Sequence, residues 1–379
     1  MRVGLFTECY RPIQNGVVAS VDALAHAIRA RGHEALCVTP NMPGYHEAHE
    51  FVVRMPSLPL PTRTAYRLTL PFVTNERVAL ALSRLSVVHA HSPFVTGWMG
   101  ARLARRIRVP LVFTYHTQLE EYAHYFPFES RVTRNAASHL TRRYANGADA
   151  VIVPTEAMER HLRDLGVGTR IEVVPSGIDV DLFSAGRRRE DLRARLGVPA
   201  GAKMVVSVGR LAREKNVELT LEAFGRLDGP AHLVIVGAGP RREVLERQAQ
   251  RDGLAGRTTF AGELDRVALP DVYASADALI FTSTSETQGL VLVEALATGL
   301  PVVAVDSPQT RDVLGELGAV VAADPEALAG ALARTPPREL NRARIARVIA
   351  ERFDGRVVAD RVLGIYADLT SRPPVQAVS

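Results

Sequence analysis

Short apolar stretches recur along the chain, and segments with helical spacing of apolar residues lie between several of them. In the first half, helical patterns cover Val21–Arg31 and Thr96–Arg106, and the strand-like stretches are RVGLFT, EALCVTP, SVVHAHS, VPLVFTYHT and ADAVIVPT. A short apolar run bounded by turn residues is typical of a strand buried on both faces. Strands that alternate with helices in this way predict a parallel sheet with helices packed on both sides.

The same rhythm starts again after about residue 180, with KMVVSVGR, AHLVIVGAG, TTFAGEL, ADALIFTST, LPVVAVD and GAVVA. A chain of 379 residues is too long for one ordinary core. The Pro, Ser, Gly and Asp residues of Val173–Phe183 indicate the boundary. We therefore predict an α/β protein with two doubly wound, Rossmann-like domains, residues 1–180 and 181–360, facing a cleft. Residues 361–379 would form a C-terminal helix that returns to the first domain and a frayed tail.

The net charge of +5 lies entirely in residues 1–180, which hold 20 arginines and 15 acidic residues. A basic half favours a polyanion such as nucleic acid, anionic lipid or a phosphorylated ligand, although a merely soluble surface fits as well. The two cysteines, Cys9 and Cys37, have no metal-like spacing, which favours reduced thiols. No run approaches the roughly 20 apolar residues of a membrane span, and the N-terminus does not resemble a signal peptide. We expect a protein that works in the cytosol or at a membrane surface.

Two carboxylates flank a predicted helix start in FTSTSETQGLVLVEALATG. Glu286 follows a strand, and Glu294 lies inside the predicted helix, which should stop at Thr298-Gly299. The backbone N–H groups of Thr287–Leu290 would form an anion site. Glu294 is flanked by apolar residues and should need a partner. A glycosidase pair would be about 5–10 Å apart, whereas eight helical residues span about 12 Å, so hydrolysis remains only a rival interpretation.

Cationic and glycine residues follow other predicted strands. Arg210 and Lys215 in VSVGRLAREKN suit a phosphate, although a solvated basic loop is the simpler alternative. LVIVGAGPRRE matches the dinucleotide fingerprint only weakly and favours a tight turn beside a ligand. Gly16 follows Asn15 between the first strand and the first helix, where a backbone can approach a ligand closely, or simply turn.

Histidines close two predicted strands, and a basic helix follows. His116 ends one strand and could bond a sugar or phosphate. His89 and His91 end another, but without a third ligand nearby in sequence they do not predict a metal site.

The stretch 129–147 is a basic amphipathic helix that could lie on an anionic membrane or simply face solvent. The residues expected to contact a membrane surface or a lipid acceptor in it are Tyr122, Arg131, Arg134, Arg142 and Arg143.

In order and spacing, several of these segments resemble the retaining glycosyltransferases of family 4, which have the GT-B architecture. The resemblance covers about residues 1–365 and rests on NGVV, RARGHEALCVTP, VVPSGIDVDLF, VGRLAREKN and ETQGLVLVE. TYHTQLEEYAHYFP and STSETQGLVLVEALATG are similar to segments of bacterial 1,2-diacylglycerol glycosyltransferases. Those enzymes move glucose or galactose from a UDP-sugar to the free hydroxyl of diacylglycerol on the cytosolic side of the membrane. Related mannosyltransferases share the scaffold and use GDP-mannose.

The resemblance implies a role for each matching residue. Glu286 would hold hydroxyls of the donor sugar, Glu294 would bind the ribose, and His116 would lie near the reacting sugar. The implied ligands of the donor phosphates are Gly16, Arg210, Lys215, Gln288, Gly289 and Leu290. Because no clear Asp-x-Asp motif is present in the segments expected to line the cleft, we expect cationic side chains instead of a metal ion, and no cofactor.

The leading interpretation is a hexosyltransferase that is peripheral on the inner face of the cell membrane. Its partners would be a nucleotide-sugar donor, a lipid acceptor and an anionic membrane surface, with no nucleic acid. The alternatives are a GDP-mannose-dependent mannosyltransferase with a phosphatidylinositol-type or soluble acceptor, a nucleotide-sugar epimerase or hydrolase, and a binding protein without turnover.

Overall fold

A computed structural model describes residues 1–60, 66–71, 76–120, 131–336 and 342–371. The chain divides into two compact units. The first unit is Met1–Gly177 together with the C-terminal helix Gly355–Ser371, and the second unit is Ile178–Asp354. The boundary between the two units therefore lies between residues 177 and 178, whereas the sequence predicted it between residues 180 and 181. The C-terminal helix begins at Gly355 instead of the predicted residue 361.

The first unit contains a seven-stranded sheet with all neighbours parallel, in the order β3-β2-β1-β6-β7-β8-β9. Strands β4 and β5 pair separately and antiparallel. The strands are β1 Arg2–Phe6, β2 Glu34–Pro40, β3 Val52–Met55, β4 Ser57–Pro59, β5 Arg67–Thr69, β6 Val87–Ala90, β7 Leu111–Thr114, β8 Ala150–Val153 and β9 Ile171–Val173. The strand order reverses between β1 and β6, and ligands of such sheets bind beyond the carboxyl ends of the strands at that reversal.

Helices cover both faces of this sheet. They are α1 Gly16–Ala30, α2 Glu76–Ser83, α3 Val95–Ile107, α4 Arg131–Asn146 and α5 Glu156–Asp164, with the C-terminal helix against α1. Because side chains alternate along a strand, Val3 and Leu5 pack in one core layer with Tyr366 of the C-terminal helix, whereas Phe6 packs in the other with Ala101 of α3.

The second unit contains a six-stranded parallel sheet in the order β12-β11-β10-β13-β14-β15. This is the strand order of a Rossmann fold, and it reverses between β10 and β13. The strands are β10 Lys203–Val208, β11 Ala231–Val236, β12 Thr258–Gly262, β13 Ala278–Phe281, β14 Val302–Val305 and β15 Ala319–Val321. Every strand expected from the apolar pattern is present in the two sheets.

The helices of the second unit also lie in two layers. They are α6 Val180–Ser184, α7 Glu190–Arg195, α8 Val217–Gly225, α9 Arg242–Arg251, α10 Leu269–Ser275, α11 Leu290–Ala297, α12 Pro308–Leu314, α13 Pro325–Ala333 and α14 Arg342–Phe353. Val206 of β10 packs with Leu292 and Leu296 of α11, whereas Val205 packs with Phe224 of α8. The fold is α/β with two parallel-sheet units, as predicted. Within the described residues, no helix combines the length and apolar character needed to cross a bilayer.

Candidate active site

The loop after β10 carries the two cations expected to bind phosphate. Gly209 follows the strand with φ 151°, and the exposed Arg210 comes next. Lys215 ends a short 3₁₀ turn, after which Asn216 adopts a left-handed conformation with φ 51° and α8 begins. Since β10 borders the strand-order reversal, this loop lies at the edge of the sheet where ligands of such folds bind.

Lys215 forms an ion pair with Glu286, which lies in the loop after β13, the strand next to β10. Both side chains are partly exposed, with 20% and 24% of their surface accessible. Hydroxyl groups join the same two loops: Thr282 donates to the Lys215 carbonyl at 3.0 Å, and Ser283 donates to the Glu214 carbonyl at 3.1 Å. The serines and threonines of FTSTSE therefore help to hold Glu286 beside Lys215.

Glu286 lies between a strand and a helix and belongs to neither. Strand β13 ends at Phe281, and α11 begins at Leu290 after Gly289, whose φ is 79°. Gln288, just before this glycine, is buried. The prediction of a helix start between the two glutamates is confirmed, although Glu286 itself is in the preceding loop and outside the first helical turn.

Glu294 is buried inside α11, with 4% of its surface accessible. Its two carboxylate oxygens have different partners: Arg266 at 3.2 Å and the Tyr273 hydroxyl at 3.2 Å. Burial raises the pKa of this carboxyl, and the Arg266 charge and the hydrogen bond from Tyr273 oppose the increase. The expectation that Glu294 needs a partner is confirmed, and the partners come from α10 and the turn before it, which the sequence did not indicate.

The glycines of LVIVGAG permit close contact between backbones. A Cβ atom on Gly237 would lie 1.9 Å from the Gly209 carbonyl oxygen, and one on Gly239 would lie 2.3 Å from that of Leu211. The Leu211 N–H donates to the Ala238 carbonyl at 2.9 Å. These glycines therefore bring the loop after β11 against the cation-bearing loop after β10.

In the first unit, Gly16 is the first residue of α1 and is exposed. Asn15 caps the helix, since its side chain accepts a bond from the Val18 N–H at 2.9 Å. The helix therefore starts five residues before the predicted Val21. Asn15-Gly16 is a helix start that follows β1, which borders the strand-order reversal of this sheet.

Three histidines meet at the carboxyl ends of β6 and β7. His91 Nδ1 and His116 Nε2 are 2.9 Å apart, and the rings of His89 and His91 lie with their centroids 4.2 Å apart. His89 is fully buried and bonds the Tyr366 hydroxyl through Nδ1 at 2.5 Å and the Thr114 hydroxyl through Nε2 at 2.6 Å. Burial lowers the pKa of His116 to about 4 and that of His89 to about 3, so these imidazoles are neutral near pH 7. The histidines of SVVHAHS and VPLVFTYHT lie on separate predicted strands, and they meet because β6 and β7 are neighbours.

Helix α4 carries the predicted basic face. Its four assigned arginines are exposed: Arg131, Arg134, Arg142 and Arg143. Val132 is also 74% exposed. Beside them, Trp98 and Leu140 line a shallow groove, and Arg143 lies over the Trp98 ring with 5.9 Å to its centroid. Tyr122, assigned with these arginines, lies outside the described residues.

Among the described residues, one group of three possible metal ligands, Asp22, His26 and His49, lies on the first unit. The sequence did not predict a metal site at these residues. The Asp22 carboxylate already accepts bonds from the Tyr10 hydroxyl at 2.5 Å and from Arg11 at 2.6 Å. The carboxylate is thus satisfied by protein donors, and the Arg11 charge beside it opposes a cation.

Comparison with known proteins identifies the family. A model described as glycosyltransferase family 4 matches residues 14–182, and one described as glycosyl transferases group 1 matches residues 188–347. The alpha-monoglucosyldiacylglycerol synthase of Streptococcus pneumoniae is 31% identical over 83% of this chain and 74% of its own length. The chain belongs to glycosyltransferase family 4. It is therefore an enzyme, a hexosyltransferase, and the resemblance seen in the sequence is confirmed.

Family 4 members with other donors are also similar to this chain. A GDP-mannose-dependent alpha-mannosyltransferase of Mycobacterium tuberculosis is 35% identical over 83% of this chain and 81% of its own length. Among solved structures, Anabaena HepE in complex with UDP-glucose superposes with a TM-score of 0.75 at 21% identity, covering 97% of this chain and all of that one. This structural likeness concerns the GT-B fold, whose two Rossmann-like units the chain contains.

Proposed function

We propose that this family 4 enzyme transfers glucose or galactose from a UDP-sugar to the free hydroxyl of diacylglycerol, with retention of the anomeric configuration. The product would be an α-glycosyl diacylglycerol. The observation that carries the proposal is the ion pair of Lys215 with Glu286, which joins the loops after β10 and β13 at the strand-order reversal of the second unit. The similarity to the pneumococcal diacylglycerol enzyme supports the acceptor.

The donor diphosphate would bind Arg210 and Lys215. A guanidinium can grip two phosphate oxygens at once, and an ammonium acts as a compact point charge. As UDP leaves, negative charge develops on the phosphate while the sugar becomes cationic. Cations fixed where that charge develops stabilise the transition state more than the ground state. The backbone N–H groups of Gln288, Gly289 and Leu290 would add the positive end of α11.

The two glutamates would hold the two rings of the donor. Glu286 is fixed by Lys215 and by the hydroxyl-rich loop, and its partly exposed carboxylate can accept bonds from sugar hydroxyls. Glu294 would bind the ribose. Each carboxylate oxygen has a lone pair for a second hydrogen bond, so ribose would bind there while Arg266 and Tyr273 keep Glu294 oriented.

The remaining donor and acceptor roles fall on the first unit. Gly16 begins α1 and would allow close approach of a phosphate, and His116 would hydrogen-bond the reacting sugar. The acceptor oxygen would bond to the anomeric carbon from the face that UDP leaves, as the bond from that carbon to the phosphate oxygen breaks, and the hydroxyl proton would pass to the departing phosphate. Attack on this face retains configuration. We further propose that the reaction needs no metal ion, because Arg210 and Lys215 neutralise the diphosphate.

The basic face of α4 supports a membrane role. Exposed arginines attract anionic lipid headgroups, at about 1 kcal/mol for each residue near the surface, and Val132 and Trp98 offer apolar contact to the lipid. We propose that Arg131, Arg134, Arg142 and Arg143 hold the enzyme on the inner face of the cell membrane, where diacylglycerol is available.

A second candidate function is transfer of mannose from GDP-mannose to a phosphatidylinositol-type or soluble acceptor. The similarity to the mycobacterial mannosyltransferase favours it. The residues proposed to bind phosphate suit UDP and GDP equally. The two candidate functions therefore differ in the base and the sugar of the donor.

The test is a radiolabel transfer assay with each of UDP-glucose, UDP-galactose and GDP-mannose. The enzyme and each donor are incubated with mixed micelles that contain either diacylglycerol or phosphatidylinositol, and a parallel series of incubations contains EDTA. The proposal predicts a labelled glycolipid from a UDP-sugar and diacylglycerol, with or without EDTA. Labelled product from GDP-mannose alone would favour the second candidate, and donor cleavage without acceptor would favour a hydrolase.

A further inference from the structure

The ion pair of Lys215 with Glu286 places a negative charge directly beside a cation that would bind phosphate. Hydrogen bonds between the two loops fix this arrangement. Thr282 donates to the Lys215 carbonyl at 3.0 Å. Ser285, which directly precedes Glu286, donates to the Glu214 carbonyl at 3.3 Å. Because these bonds join the backbones beside both partners, the carboxylate stays close to Lys215 when a ligand approaches.

Both partners of the ion pair can be reached from solvent, since 20% of the Lys215 side chain and 24% of the Glu286 side chain are accessible. An ammonium has three N–H donors and no acceptor. A phosphate can therefore bind Lys215 while another N–H of the same ammonium stays on Glu286. The bound phosphate then lies beside a carboxylate as well as beside an ammonium.

The donor and the product of transfer present different charges to this ion pair. In a UDP-sugar, the phosphate that is joined to the sugar carries one negative charge. After transfer it is a terminal phosphate, whose second pKa is about 6, so UDP carries nearly one more negative charge at pH 7. The added charge lies on the phosphate that would bind Lys215, next to the Glu286 carboxylate.

The sugar offsets the Glu286 charge in the donor but not in the product. Hydroxyls of the bound sugar donate to the carboxylate, and the positive charge that develops on the sugar during transfer attracts it. Both attractions are lost once the sugar has moved to the acceptor. The repulsion between the carboxylate and the phosphate remains.

We propose that Glu286 makes the site discriminate between the sugar nucleotide and its nucleoside diphosphate product. Glu286 binds the donor through the sugar, and after transfer it repels the diphosphate and favours its release. The inference rests on the proposed binding of the donor by Lys215 and Glu286, and it does not depend on the acceptor.

Titration calorimetry with UDP and with UDP-glucose at pH 7.5, without acceptor, tests this discrimination. Glu286→Gln keeps the size of the side chain and removes its charge, whereas Glu286→Asp keeps the charge. We expect Glu286→Gln to bind UDP on the order of 10-fold more tightly than the native chain, which corresponds to about 1.4 kcal/mol. It should bind UDP-glucose no more tightly than the native chain does. Glu286→Asp should keep the native affinity for UDP.

The matched control is Glu326→Gln. Glu326 forms an ion pair with Arg226, which follows the end of α8 opposite Lys215. This variant removes one carboxylate charge from the same unit away from the proposed phosphate ligand, so its affinity for UDP should equal that of the native chain. Glu286→Ala also removes the charge and should also bind UDP more tightly, which decides the question if Glu286→Gln does not fold.

Unchanged or weaker UDP binding in a folded Glu286→Gln chain would overturn the proposal, and so would an equal gain of affinity for UDP and UDP-glucose. A parallel series uses GDP and GDP-mannose. Tighter binding of GDP alone would support the discrimination and reject UDP as the product. Tighter UDP binding without glycosylation of diacylglycerol would reject only the proposed acceptor. If neither nucleotide binds the native chain, both the discrimination and the phosphate-binding role of Lys215 are rejected.

Discussion

The Lys215 ammonium is paired with the Glu286 carboxylate, although Lys215 follows β10 and Glu286 follows β13. The pairing is possible because these strands are neighbours at the strand-order reversal of the second sheet. It places a cation suited to phosphate beside an anion suited to sugar hydroxyls. In a sugar diphosphate, the sugar and the phosphate are joined through one oxygen. A single donor molecule therefore offers a phosphate to Lys215 and sugar hydroxyls to Glu286.

Glu286→Ala should reduce transfer on the order of 100- to 1000-fold, mainly in kcat, because it removes a group aimed at the reacting sugar. The matched control is Glu243→Ala on α9, whose side chain is 84% exposed and only distantly paired with Arg247 at 3.8 Å. Product chromatography measures transfer, and circular dichroism verifies folding. Full activity in a folded Glu286→Ala enzyme would reject this role for Glu286.

Lys215→Ala should weaken UDP binding about 10- to 100-fold, since a hydrogen bond to a charged group contributes about 1.5–3 kcal/mol. Titration calorimetry with UDP measures the effect. The chain contains only one other lysine, Lys203, whose Nζ donates to the Thr335 hydroxyl at 2.7 Å and also to the Leu332 carbonyl. Lys203→Ala should therefore lower stability while UDP affinity is kept. Equal UDP affinity in Lys215→Ala and the native enzyme would exclude Lys215 as a phosphate ligand.

Replacing Arg131 and Arg134 with Glu should weaken binding to anionic vesicles and leave binding to neutral vesicles unchanged. The native binding should also weaken as salt increases, because exposed charges are screened within about 10 Å at 0.1 M salt. Co-sedimentation measures both effects. The control replaces Arg247 and Arg251 on α9, which are exposed arginines of the second unit. Vesicle binding that does not depend on lipid charge and salt, or an equal loss of vesicle binding in the control variant, would contradict the role of α4.

The buried histidines should make the protein less stable in mild acid. Burial holds the pKa of His116 at about 4 and that of His89 at about 3, below the value near 6.5 in the unfolded chain. Between pH 6.5 and 4 the unfolded state binds more protons than the native state, so the free energy of unfolding falls as pH falls. It falls by up to about 1.4 kcal/mol per pH unit for each such histidine.

His89→Gln tests this directly. Urea unfolding at pH 7, 6 and 5 should show a smaller loss of stability on acidification than in the native chain, by about one histidine's contribution. The exposed His46→Gln variant should keep the native slope. An unchanged slope in His89→Gln would mean that His89 is not held neutral by the fold.

The central strands could be predicted from the sequence because they are buried on both faces and therefore apolar throughout. The sequence did not predict β3 and β9, the half-buried edge strands of the first sheet, although it predicted β12 and β15, the half-buried edge strands of the second sheet. The α11 helix was predicted with its stop, because Gly289 and Gly299 adopt positive φ at its two ends. Local sequence thus determined the elements wherever burial or backbone conformation was decisive.

The partners of the candidate site residues could not be predicted in the same way. That Glu294 needs a partner follows from its apolar neighbours, but Arg266 and Tyr273 are 28 and 21 residues away and reach it only through packing of α10 against α11. The His91–His116 bond likewise depends on which strands are neighbours. Residue types and spacing indicated the chemistry, and the strand order determined which groups meet.

The most direct test of the central claim is the structure of the product formed from UDP-[¹³C]glucose or UDP-[¹³C]galactose and diacylglycerol in anionic micelles. NMR of the isolated lipid reports both the linkage and the anomeric configuration. The account predicts one hexose joined to the free hydroxyl of diacylglycerol in the α configuration. A β-linked product, or the absence of a lipid-linked hexose while the enzyme binds UDP, would contradict it.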